Sequence, residues 1–196
     1  MLDHVLIEVV STIKDSCEDS MLEAAELDEH LLHDVWLGDI TYSASFSLPG
    51  ESDPPASRVD ITLEWNTWSQ SNYRTWWIGD VPPELPQVSI LVAFRLQGML
   101  AALNVADIEM TLGAQTTLGS DLSFTRTGLR SESHVETPTS KASHALEVSY
   151  EGTLILSEAM LANPIEIRAV LAPIGSWLAS ALVMLSDRQS GGDPTA

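Results

Sequence analysis

Lysine is almost missing from this chain. Of 196 residues only Lys14 and Lys141 are lysines, and the remaining bases are arginines. Bases of both kinds number 9 against 28 acids, a formal net charge of −19. Such a surface repels nucleic-acid phosphate and anionic headgroups, so no direct nucleic-acid partner and no membrane partner is expected. Cysteine occurs once, at Cys17, which excludes an intrachain disulfide framework. With only Lys14 as a basic neighbour on its face, Cys17 reads as a small hydrophobe rather than a nucleophile. The chain has no phosphate-cradling glycine loop, no Gly-x-Ser-x-Gly elbow and no Cys-x-x-Cys pair. The easily named enzyme classes therefore lose their footing, and neither enzymatic activity nor a cofactor is expected. The start, Met1-Leu2-Asp3-His4, lacks the basic region and cleavage site of a secretory signal, so an intracellular, cytoplasmic location is expected.

What is present is globular. Hydrophobic residues make up 44% and charged residues 19%, a composition that can bury a core without covalent staples. Leu2, Val5, Leu6, Val9 and Ile13 follow helical spacing over 2–14. Ser20 and Glu23 have capping-box spacing, which predicts a second helix over about 20–33. Trp36, Ile40, Tyr42, Ala44, Phe46 and Leu48 then alternate with polar residues, as do Val59, Ile61, Leu63 and Trp65; both runs predict half-buried strands. The stretch 73–79 is a candidate to continue the sheet. Val88, Ile90, Val92 and Phe94 predict a deeply buried strand over 87–97. Ile108, Met110 and Leu112 alternate over 106–112, and Leu146, Val148, Tyr150 and Leu154 mark another strand over 145–156. Residues 126–143 are polar and read as a long loop holding His134, with His144 beside it. Asn163-Pro164-Ile165-Glu166 is a helix start, and the apolar run that follows predicts a helix to about Leu185, kinked at Pro173. This order predicts one α+β domain over 1–186, a mainly antiparallel sheet with N-terminal helices and one C-terminal packing helix. Residues 187–196 form a polar tail.

Three constellations are candidates for function. His30 and His33 would share a face of the predicted helix, and with Glu26 or Asp34 could ligate a divalent metal. The alternative is a solvated helix end carrying imidazoles near its C-terminus, which leaves no metal site. Trp65, Trp68, Tyr73, Trp76 and Trp77 form an aromatic run that suits core packing, a protein interface or a sugar platform. The run 169–185, which includes Trp177, is short for a membrane span and is broken by Pro173 and Gly175; it reads as a helix buried in a core or an oligomer interface. The interface set is thus Trp65, Trp68, Tyr73, Trp76, Trp77 and Trp177, and a homo-oligomer that also meets other protein subunits is expected.

High acid content, scarce lysine and abundant Ser and Thr resemble the proteins of organisms living in concentrated salt; an ordinary acidic protein and a DNA-mimicking inhibitor are the other readings of the charge. The element order over residues 2–156 resembles ring-forming neck and tail-terminator subunits of tailed viruses. Together these imply a virion protein of a virus of halophilic archaea, a structural and assembly protein rather than an enzyme. The apolar C-terminal helix and the 126–143 segment depart from that pattern. The strands 59–65, 87–97 and 145–156 followed by the helix from Asn163 to Leu185 are also similar to a SecB-like holdase chaperone, although the helix over 2–14 does not fit it. A metal-dependent enzyme using His30 and His33 is the third alternative.

Overall fold

A computed structural model of the chain describes residues 4–24, 29–33, 38–51, 54–99, 102–119, 122–134 and 142–190. The fold class is α+β, as expected. Helix α1 (His4–Asp19) leads into short strands β1 (Glu23–Ala24) and β2 (His30–His33), then β3 (Ile40–Ser47) and β4 (Ser57–Trp65). Helix α2 (Thr67–Trp77) precedes β5 (Gln87–Met99), and α3 (Val105–Leu112) precedes β6 (Gln115–Leu118), β7 (Leu122–His134) and β8 (Ser143–Ile155). The chain closes with α4 (Glu158–Ala162), α5 (Pro164–Leu171) and α6 (Pro173–Ser190).

All strand pairs are antiparallel, in the order β1-β3-β4-β5-β8-β7-β6, with β2 also pairing β3. The period of two sends every second residue to the helical side. Ala44, Ile61, Val92 and Tyr150 are neighbours in one row across β3, β4, β5 and β8, and all four are buried. Helix α6 lies against β4 and β5 and also packs on α1. The opposite face carries hydroxyls and paired charges. Ser45 donates to Asp60 at 2.7 Å, and Arg95 lies 3.1 Å from Asp60 and 3.0 Å from Glu147.

Several local expectations give way to helix period or to pairing. Residues 106–112 are helical: Asn104 caps α3 by accepting from Ala106, and Ile108 and Leu112, four apart, are buried while Met110 is exposed. The stretch 73–79 lies mostly in α2, whose N-cap is Asn66. The predicted helix over 20–33 does not form; β1 and β2 occupy its described ends, and 25–28 lies outside the described residues. Trp36 also lies outside them, and the strand predicted to include it begins at Ile40. Within the expected loop over 126–143, residues 126–134 are strand, because β7 pairs with β8 as far as His134↔Ser143, and 135–141 lie outside the described residues. Residues 187–190, assigned to the tail, continue α6.

From Pro164 to Gln189 the mean hydropathy reaches 1.8, and by length and composition this stretch could cross a membrane. Here Ile167, Leu171, Ile174, Leu178, Leu182 and Leu185 are buried within the protein. The helical run divides at Ala172, before Pro173, which has no backbone N–H to continue the ladder.

Candidate functional site

The aromatic set separates into interior and surface members. Trp65 ends β4 fully buried, its ring 5.7 Å from that of Tyr73. Trp177 enters the core from α6, stacked on Phe124 at 4.7 Å and edge-on to Phe94 and Tyr150. Trp65 fills core space beneath the helices, whereas Trp177 is only partly buried. Tyr73 is buried too, with its hydroxyl 3.1 Å from His4 Nδ1. Trp76 is half-buried against it. Only Trp68 and Trp77 are exposed, at 41% and 57%. Beyond α2 the exposed apolar surface continues through Ile78 and Val81.

His30 and His33 lie on a strand and are both exposed. Three residues apart on a strand, they point to opposite faces, so the shared helix face that metal binding required is absent. Among the described residues no group of three or more His, Cys, Asp or Glu side chains is placed to hold a metal ion. His134 ends β7, and His144 lies within β8, where its Nδ1 is 2.8 Å from the Ser133 hydroxyl.

A concave site lies elsewhere, between α1 and the sheet edge. Amphipathic α1 turns Val5, Leu6, Val9 and Ile13 inward, yet places Ile7 on its outer side, 55% exposed. Strand β2 pairs with β3 so that Leu31 stands opposite Tyr42. Leu6, Ile7, Val10, Leu31 and Tyr42 form the apolar wall of a cavity of about 390 Å³. Asp15, Glu18 and Glu29 contribute carboxylates to its lining, against the single ammonium of Lys14, itself 3.0 Å from Glu29.

Tyr42 is 3% exposed, and its buried hydroxyl lies beside the Glu29 carboxylate. Burial, and then the nearby Glu29 carboxylate, push this hydroxyl well above the usual tyrosine range, so it stays protonated and is a donor.

No sequence motif marks this groove. Its traces are Ile7, off the apolar stripe of α1, and the adjacent Leu31 and Leu32 between two histidines, all exposed. They become a site only once β2 is a strand beside α1. No family model, curated protein or solved structure matches the chain.

Proposed function

We propose that this protein is a non-enzymatic binding protein that holds segments of other polypeptides, a holdase-type role, with the α1–β2 groove as its site. The observation that carries this reading is the open apolar cavity walled by Ile7, Val10, Leu31 and Tyr42. Exposed apolar surface arranged as a concavity marks a binding site, whereas scattered exposed leucines do not. The full burial of Trp65 weighs against the ring-subunit reading, since this side chain stabilises the single protomer.

Self-assembly remains as a second reading because of the patch formed by Trp68, Trp77, Ile78 and Val81. Exposed tryptophans of this kind are typical interface anchors.

Dilution of guanidine-unfolded ribonuclease A into buffer with and without the protein tests the main reading. Suppressed aggregation and a soluble complex are expected; aggregation unaffected by an excess of the protein removes the holdase role. The particle mass in the same buffer tests the second: a protomer-sized particle at high protein concentration ends it.

A further inference from the structure

We propose, resting on the holding role just described, that the groove takes one kind of occupant: an extended segment of another chain with aliphatic anchors flanked by Lys or Arg. The cavity falls in the range of roughly 300–1,000 Å³ that encloses small ligands, and its wall of Leu6, Ile7, Val10 and Leu31 suits aliphatic side chains. The sign of the flanking charge follows from the lining. Asp15, Glu18 and Glu29 meet one ammonium, and Lys14 is already committed to Glu29. The −19 of the whole chain draws the same partners and turns away acidic ones.

The extended form follows from β2. Residues 30–33 pair with β3 alone among the described residues, which makes β2 an edge of the kind beside which an extended chain is laid.

Two fluorescein-labelled peptides sharing a Leu/Val centre, one flanked by Lys and the other by Glu, are titrated with the full chain and followed by anisotropy. The Lys-flanked peptide binds about tenfold or more tightly at low salt, and the difference narrows in molar potassium chloride. Ile7→Gln with Leu31→Thr, both at exposed positions, weakens it about tenfold. Equal binding of the two peptides, or full affinity in the Ile7/Leu31 variant, overturns this proposal and leaves the holding role standing. A dimer of the native protein that this variant converts to monomer also overturns it, since a second copy would then fill the groove. If neither peptide nor unfolded ribonuclease A binds, the proposed function falls with it.

Discussion

Ser16 joins three pieces of chain. Its hydroxyl donates to the Ala172 carbonyl at 2.7 Å and accepts from the Gly175 N–H at 3.0 Å, so one side chain on α1 satisfies backbone groups on both sides of Pro173. The contact is possible because Gly175 has no side chain; a Cβ there would overlap the Ser16 carbonyl. Ser16→Ala should cost about 1–3 kcal/mol, since it leaves buried backbone groups unsatisfied. Gly175→Ala should cost about 3 kcal/mol by forcing α1 and α6 apart. Urea unfolding midpoints check both, and a midpoint unmoved by Gly175→Ala would show that the helices do not meet as described. Next along α1, Cys17 is buried, and desolvation first, then the Glu18 charge, push its thiol up to about 12. The native thiol should resist Ellman's reagent at pH 8 and react only on unfolding. The folded chain keeps this proton to higher pH than the unfolded chain does. Its contribution to stability is therefore complete below the unfolded thiol's ordinary value, near 9, and is lost as pH rises from there toward about 12.

At the scale of elements, the end of α1 shows why one part of the chain was hard to read. Leu22 N–H bonds the Cys17 carbonyl at 3.0 Å and Met21 N–H bonds the Glu18 carbonyl at 2.9 Å, the paired bonds of a Schellman stop, with buried Leu22 beside Cys17. The left-handed position of this stop is held by Met21, at φ 63°, where glycine is usual. With no glycine to announce the end, Ser20 and Glu23 look like the start of a second helix, and the edge strands stay hidden. Met21→Gly should stabilise the protein by about 0.5–1 kcal/mol, because the side chain is exposed and the substitution relieves an unfavourable φ. A destabilised variant in thermal unfolding would count against the stop as drawn. The central strands were legible because alternation in β3, β4, β5 and β8 reports a sheet buried on one face. Helix α3 was not, since Ile108, Met110 and Leu112 alternate as a strand would, and only the four-residue spacing of Ile108 and Leu112 and the Asn104 cap point to a helix. The groove was least legible. It needs α1, β2 and β3 together, and it uses residues that lie off each element's own pattern.

For the whole molecule the deciding quantity is charge. Lys14, Arg58, Arg95, Arg126, Arg130 and Arg168 each have a carboxylate within ion-pair distance. Most of the 9 bases are thus engaged, and the excess among the 28 acids has no cation to meet. Added salt acts on both populations. It weakens exposed pairs such as Arg130 with Glu132, but each such pair is worth only about 0–1 kcal/mol. It also screens mutual repulsion among the unpaired carboxylates, which accumulates over the whole surface at a net charge of −19. At 1 M the screening length falls to roughly 3 Å, shorter than the spacing of most surface charges, while the apolar core between sheet and helices is unaffected by screening. The repulsive sum is larger than the attractive one here, so the thermal midpoint should climb between low and molar potassium chloride. Most of the rise should come within the first few hundred millimolar, where the screening length changes fastest. Differential scanning fluorimetry across that range reads it directly. A midpoint that stays level or drops would mean that the engaged pairs, few as they are, outweigh the surplus of acids.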